Sequence, residues 1–173
     1  MLLRLTYCGV PFLYYGEEIG LNQARLNKGD IVDPPGKKFW PLYKGRDGAR
    51  TPMQWSKKDN YDFSKGKPWL PQQHDVQPVS EQQQDSGSLL MTTKNLLSLR
   101  REHPALYSGD IKVQQQRGVL IVQRSAKDVH LQIVLNWQKK SQRRAFSGRL
   151  LYSTETAPDH HELRPFEGRI YLV

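Results

Sequence analysis

KGRDGARTPMQW, residues Lys44–Trp55, is the stretch around which this sequence is organised. Its two glycines admit backbone angles closed to other residues, and its proline fixes another. Arg46 and Arg50 are planar donors suited to oxygen-rich partners, carboxylates above all. The stretch therefore predicts a bent loop that holds polar groups in place. A solvated basic loop whose arginines pair locally with Asp47 would explain the same composition.

The composition of the chain limits the classes of molecule that it could bind. The chain has 173 residues and a formal net charge of +9 at pH 7, so nucleic acid or an acidic surface has to be considered. Its basic residues are scattered along the sequence, however, and no single predicted helix face collects them. We therefore predict no nucleic-acid partner. A basic excess also suits one part of a larger protein whose acidic part lies elsewhere.

The only cysteine, Cys8, excludes an intrachain disulfide and a metal cage of thiolates. The apolar start of the chain, Met1–Cys8, is interrupted by Gly9 and Pro11, and no small-residue cleavage site follows, so no export signal is predicted. No apolar run is long enough for a transmembrane span. These features predict a cytoplasmic protein with no membrane partner.

Val10–Tyr15 is a short apolar and aromatic run, which predicts a buried strand. Leu2–Tyr7, just before it, has the character of a helix end. A helix, a turn and a buried strand that ends in carboxylates form a unit of a parallel α/β sheet, where ligands bind at strand carboxyl ends. Glu17 and Glu18 follow this strand. Neighbouring strand positions point to opposite faces, so the two cannot flank one bond and a structural role is predicted.

Residues 21–84 show no sustained periodicity, yet tryptophans occur throughout, which predicts an ordered loop rather than disorder. A helix follows, with Asp85 or Ser86 as its cap and Pro104 beyond its end. Arg100 and Arg101 near its C-terminus suit the helix dipole. The residues at helical spacing, which predict the packing face, are Leu89, Leu90, Thr93, Leu96, Leu97 and Arg100.

After Gly109 the sequence changes to short apolar runs separated by turn residues. Several short strands at close spacing predict an antiparallel sheet or sandwich. The four runs are Val119–Val122, Leu131–Leu135, Arg149–Tyr152 and Ile170–Val173. This change in pattern predicts two domains, residues 1–106 and residues 107–173.

Several segments resemble the alpha-amylase superfamily, glycoside hydrolase family thirteen. Gly9–Gly20 is similar to the eighth strand of that family's barrel, and Lys44–Trp55 is similar to the loop signature of its alpha-glucosidase and oligo-1,6-glucosidase branch. Leu97–Arg101 and Pro104–Leu106 add to the match. The resemblance implies an α+β fragment from the C-terminal portion of a bacterial enzyme. Its first part would be the last strand, active-site loop and last helix of a (β/α)8 TIM barrel, and a small antiparallel β domain would follow.

The resemblance implies a retaining hydrolase of alpha-glucosidic bonds in maltose- or isomaltose-like oligosaccharides, with a role in carbohydrate metabolism. Such enzymes use a carboxylate nucleophile and a second carboxyl group as acid/base. The family places these groups, and a third stabilising carboxylate, on strands before the eighth. No catalytic residue is therefore predicted in this chain, which by itself is expected to be inactive. No cofactor and no metal are predicted.

One functional residue carries over from the resemblance. Arg46 resembles the family arginine that pairs with an early-strand aspartate and binds the non-reducing glucose. Without that aspartate, Arg46 is expected to be solvated. Asp47 and Arg50 are predicted to shape the loop. The predicted partner is an alpha-glucoside oligosaccharide, bound together with the remainder of the barrel.

Other functions are compatible with parts of the sequence. His160–Glu162 could be part of a metal site, but it lacks a third ligand at useful spacing, and a surface turn explains it. Gly45–Gly48 matches the GxxG loop of RNA-binding KH domains, but the flanks do not predict the required helices. The main alternative to an enzyme is a non-catalytic relative, or a truncated product that acts only as a binding or interaction module.

Overall fold

The computed structural model describes residues 1–72 and 76–173. This part of the chain forms two compact units, one from residues 1–12 and 92–173 and the other from residues 13–91. The loop predicted for residues 21–84 includes residues 73–75, which lie outside the described residues. None of the described helices is both long enough and apolar enough to cross a membrane. The helices are α1 (Leu2–Thr6), α2 (Pro34–Lys38), α3 (Val79–Gln82) and α4 (Leu89–Glu102).

Within the described residues, all the strands lie in the unit of residues 1–12 and 92–173. They are β1 (Asp110–Gln116), β2 (Val119–Ala126), β3 (Val129–Asn136), β4 (Gln142–Arg143), β5 (Arg149–Ser153), β6 (Glu162–Leu163) and β7 (Gly168–Leu172). Five of them form an antiparallel sheet in the order β1-β2-β3-β7-β5, and β4 pairs with β6. The register places Ile121 opposite Val134 and Ile133 opposite Ile170. The predicted antiparallel sheet is therefore present.

The central strands β2 and β3 are buried on both faces, which explains why their sequences read as continuous apolar runs. One face packs into a cluster that comprises Val119, Ile121, Val134, Leu163 and Tyr171. The four predicted runs lie within or overlap β2, β3, β5 and β7. Strand β1 was missed because it is an edge strand, mostly exposed and polar, and shows no apolar alternation.

The predicted long helix is confirmed as α4, but its predicted cap is wrong. Ser88 Oγ accepts the backbone N–H of Met91 at 3.2 Å. Asp85 instead accepts the backbone N–H of Gly87 at 2.9 Å, within the preceding turn. A capping side chain has to stand immediately before the first helical residue, and that residue is Leu89.

The packing face of α4 also differs from the predicted one. Leu97 is exposed, whereas Leu96 and Leu99 are buried. Arg100, which was predicted for this packing face as well as for the helix dipole, is buried. Its guanidinium donates to the backbone carbonyls of Leu5, Tyr7, Gly9 and Leu106. Burial lowers the pKa of Arg100. These hydrogen bonds compensate for the lost hydration and tie α4 to the start of the chain.

The prediction of a buried strand at Val10–Tyr15 is wrong for this structure. No strand is present there within the described residues, and Val10 and Phe12 are 78% and 85% exposed. An extended segment becomes a strand only when neighbouring strands accept and donate its backbone hydrogen bonds, and no described strand lies beside this one. Glu17, expected at a strand end, begins a 3₁₀ turn that runs to Ile19.

The unit of residues 13–91 is a folded arrangement of short helical turns. Its core cluster comprises Ile19, Met53, Val79 and Leu90. The amide of Gln82 crosses this core: its Nε2 donates to the Ile19 carbonyl at 2.8 Å, and its Oε1 accepts the Leu90 N–H at 3.1 Å. The aperiodic segment is therefore organised by buried polar contacts between residues distant in sequence.

Candidate functional site

Two buried carboxylates brace the Lys44–Trp55 loop against the segment that precedes α2. Asp47, which is fully buried, accepts the backbone N–H groups of Val32 and Asp33 through Oδ2, both at 2.7 Å. Asp33, the residue before α2, is buried too. Because Asp47 accepts two backbone N–H groups from a segment distant in sequence, it fixes the loop and the segment before α2 to each other.

Asp33 in turn accepts hydrogen bonds from Arg46. Its Oδ2 accepts the backbone N–H of Arg46 at 3.1 Å and the Nε–H at 3.4 Å, while Oδ1 accepts from Nη2 at 2.6 Å. This ion pair lowers the pKa of Asp33 and raises that of Arg46. The Asp33 side chain is 1% exposed and that of Arg46 is 60% exposed. One end of the guanidinium is thus anchored, and the rest faces solvent.

The close approach behind this ion pair requires two glycines. A Cβ on Gly36 would lie 2.8 Å from the carbonyl oxygen of Lys44, and a Cβ on Gly45 would lie 2.7 Å from Asp33 Oδ2. Gly45 also has a φ of +75°, which side-chain-bearing residues rarely adopt. The glycine of the loop signature therefore allows α2 to pack directly on the loop.

Arg50 and Tyr15 form a second set of contacts at this loop. Arg50 Nη1 lies 3.5 Å from Asp47 Oδ1, and its side chain is 36% exposed. The Tyr15 hydroxyl donates to the carbonyl of Thr51 at 2.9 Å. Burial raises the pKa of Tyr15, and the neighbouring Tyr14 adds to this effect while Arg50 opposes it. Arg50 is thus held more loosely by its carboxylate than Arg46 is by Asp33.

The structure brings the predicted site residues together with one residue that was missed. Arg46, Asp47 and Arg50 share one short loop, in which Asp47 begins a 3₁₀ turn that ends at Ala49. Arg46 was expected to be solvated in the absence of the family's early-strand aspartate, and its side chain is 60% exposed; Asp33 is a carboxylate partner that was not predicted from the sequence. The available signal for Asp33 was its place directly before two prolines, which marks a helix start. The ligand-binding roles of these loop residues are taken up below as proposals.

Other polar candidates have structural contacts. Glu17 Oε2 accepts the backbone N–H of Tyr14 at 3.0 Å. His161 donates its backbone N–H to Asp159 at 2.7 Å, within a turn. In residues 1–72 and 76–173, no group of three or more His, Cys, Asp or Glu side chains is placed to hold a metal ion. Trp55, at the end of the loop, is about half exposed.

Residues 1–109 match the family model described as the alpha-amylase catalytic domain. This match covers more than half of the 173 residues, and the chain therefore belongs to the alpha-amylase family. The family resemblance carried by Gly9–Gly20 and Lys44–Trp55 is confirmed.

The curated relatives identify the branch. The chain is 42% identical over 123 residues to a probable alpha-glucosidase of Rhizobium meliloti, a match that covers 70% of this chain and 22% of that protein. It is 31% identical over 211 residues to a probable oligo-1,6-glucosidase 2 of Bacillus subtilis, covering 100% of this chain and 37% of the relative. The chain thus spans only about a fifth to two fifths of the length of these relatives.

Solved structures extend the likeness to the whole fold. The alpha-glucosyl transfer enzyme XgtA has a TM-score of 0.80 at 30% identity, over 99% of this chain and 34% of that one. The trehalulose synthase MutB from Pseudomonas mesoacidophila MX-45 has a TM-score of 0.78 at 25% identity, over 99% of this chain and 37% of that one. These neighbours are TIM-barrel enzymes of glycoside hydrolase family thirteen.

Proposed function

We propose that this chain forms part of a retaining alpha-glucosidase that acts on maltose- or isomaltose-like oligosaccharides, and that Arg46 binds the non-reducing glucose. In a retaining enzyme, a carboxylate nucleophile and an acid/base carboxyl flank the scissile bond. The resemblance assigns neither group, nor the stabilising carboxylate, to a position in these 173 residues. The chain would therefore contribute to substrate binding and not to bond cleavage. Its cytoplasmic location stays a prediction.

The observation that carries this proposal is that Arg46 is anchored by Asp33 and yet largely exposed. Asp33 accepts hydrogen bonds from Nε and Nη2 of Arg46, while Nη1 donates no hydrogen bond within the described part of the chain. A guanidinium held in this way can donate to adjacent sugar hydroxyls without losing further rotamer freedom. The names of the relatives, alpha-glucosidase and oligo-1,6-glucosidase, support the choice of substrate class.

Arg50 is the competing donor in the same loop. Its contact with Asp47, at 3.5 Å, is longer than the 2.6 Å contact of Arg46 with Asp33, so it has more freedom to turn toward a ligand. We retain a loop-shaping role for Asp47 and Arg50, supported by the two backbone N–H groups that Asp47 accepts.

We also propose that residues 1–106 form part of the barrel domain and residues 107–173 the β domain. The match to the catalytic-domain model ends at residue 109, and β1 begins at Asp110, which supports this boundary. The compact units divide the chain differently, at residues 12 and 91, because α4 packs against the chain start through Arg100.

A fusion protein tests the enzymatic proposal. This chain replaces the matched 37% of the Bacillus subtilis relative, and turnover of a nitrophenyl alpha-glucoside is measured for the fusion and for the 173-residue chain. We expect hydrolysis by the fusion and none by the chain alone. The control is the same fusion with the relative's own segment restored. Turnover by the chain alone, or a folded fusion that binds no alpha-glucoside, would contradict the proposal.

A further inference from the structure

A basic cavity lies beside the β sheet, within the unit of residues 1–12 and 92–173. Its volume is about 530 Å³. The lining residues are Gln116, Arg117, Val119, Gln142, Arg143 and Arg144. They supply three guanidinium groups and two amides, and Val119 contributes a buried apolar surface. No Asp or Glu belongs to this lining in the described chain.

Two elements bring these cations together. Arg117 and Gly118 form the two-residue turn between β1 and β2, with φ values of +48° and +82°. Arg143 ends β4, and Arg144 follows it. Arg144 Nη2 donates to Gln116 Oε1 at 2.9 Å, which links the β4 side of the cavity to the end of β1.

Hydrogen bonds and a ring contact hold the lining side chains of the cavity in place, but no salt bridge among the described residues neutralises their positive charge. The Arg144 guanidinium lies 5.2 Å from the centre of the Phe146 ring, and its bond to Gln116 fixes it from a second direction. Gln142 Nε2 donates to Gln138 Oε1 at 2.7 Å. In the residues that the structure describes, no carboxylate forms a salt bridge with any of the three lining arginines. The three lining guanidinium groups therefore form a positively charged surface that suits an anionic ligand.

We propose that this cavity binds a small phosphorylated ligand through Arg117, Arg143 and Arg144. Guanidinium groups donate in pairs to phosphate oxygens, and the lining amides offer further donors. The volume falls in the range of small-molecule pockets, roughly 300 to 1,000 Å³. A nucleic-acid strand would instead need a groove that follows several successive phosphates. A cavity lined by a turn and a two-residue strand suits a single phosphate or diphosphate group.

The test measures pyrophosphate binding to the full 173-residue chain by calorimetry, at an ionic strength held constant with sodium chloride. We expect one saturable site. Arg117→Gly removes a lining cation and also relieves a left-handed backbone that suits glycine, so the variant should keep its thermal stability. Both Arg117→Gly and Arg143→Gln should weaken binding by about tenfold or more, because a charge-assisted hydrogen bond is worth roughly that factor.

Lys127→Gly provides the matched control. Lys127 stands in the two-residue turn between β2 and β3 with a φ of +51°, and it does not line the cavity. Lys127→Gly also removes one positive charge from a left-handed position in a two-residue turn, so pyrophosphate affinity should not change. Equal weakening by Lys127→Gly, or no saturable binding to the folded chain, would overturn the proposal. So would a single-stranded oligonucleotide that binds more tightly than pyrophosphate, since it would assign the cations to nucleic acid.

Discussion

Asp47 accepts the backbone N–H of Asp33 at 2.7 Å, and Asp33 accepts the backbone N–H of the residue just before Asp47, Arg46, at 3.1 Å. The two carboxylates therefore brace each other's segments across 14 positions of sequence. Asp47 thus holds the backbone of Asp33, and Asp33 holds the backbone next to Asp47. The geometry of the loop and the orientation of Arg46 therefore depend on the same two carboxylates.

Replacing Gly45 with alanine should disrupt this arrangement. The new Cβ would lie 2.7 Å from Asp33 Oδ2, and the residue would have to keep a φ of +75°. We expect a loss of about 2 kcal/mol or more in the free energy of unfolding, measured by denaturant titration. Gly29→Ala is the control, because nothing lies within 4 Å of its added Cβ, and it should be close to neutral. Equal stability of the two variants would show that the close approach is not needed.

The loop should respond to acid through Asp33. The hydrogen bond from the Arg46 side chain holds the pKa of Asp33 below its ordinary value, although burial opposes this effect. A lowered folded-state pKa means that the carboxylate stabilises the fold fully above about pH 4, the unfolded value, and that this contribution is lost as pH falls through the folded value.

Amide exchange of Arg46, followed by NMR from neutral to acid pH, checks this response. Exchange should rise only below about pH 4 after correction for the intrinsic rate. Asp33→Asn should show faster exchange than the unmodified chain above about pH 4, and it should show no such transition. Asp128→Asn, at an exposed turn position, is the matched control and should behave like the unmodified chain. An acid transition that persists in Asp33→Asn would assign the effect to another group.

Arg100→Lys should destabilise the unit that contains most of α4. Arginine reaches four backbone carbonyls from one planar group, and an ammonium cannot reproduce that geometry. We expect a loss of roughly 3 kcal/mol in unfolding free energy, because several buried carbonyls lose their donors. Arg101→Lys, next along the helix and exposed, should change stability very little. If both substitutions cost the same, Arg100 has no special structural role.

Substitutions in the fusion enzyme separate the two loop arginines. Arg46→Ala should raise KM for the alpha-glucoside about tenfold or more with a smaller change in kcat, as expected for loss of a binding contact. Arg50→Ala should change KM less. Asp33→Asn loosens Arg46 but leaves its guanidinium present, so its KM should lie between those of the parent and Arg46→Ala. The opposite order for Arg46 and Arg50 would transfer the sugar contact to Arg50.

Sequence patterns predicted the elements whose signals are local. The runs in β2 and β3 and the helix α4 were identified from apolar spacing, and the family from the loop signature. The strand at Val10–Tyr15 was predicted incorrectly, since composition indicates strand propensity but a strand also needs partners beside it. Strand β1 was missed for the converse reason: its pairing with β2 makes it a strand, although its own residues are mostly polar and exposed.

The sequence by itself determined the antiparallel sheet and the bent loop with its glycines, because apolar periodicity and turn chemistry act over a few neighbouring residues. It also determined the family, through the resemblance of its loop signature. Only the tertiary structure decided that Asp33 pairs with Arg46, that Arg100 donates to four backbone carbonyls, and that three arginines line one cavity. These contacts depend on which distant backbone segments come together. They also depend on which hydrogen-bond donors and acceptors of those segments still need a partner. No local pattern carries that information.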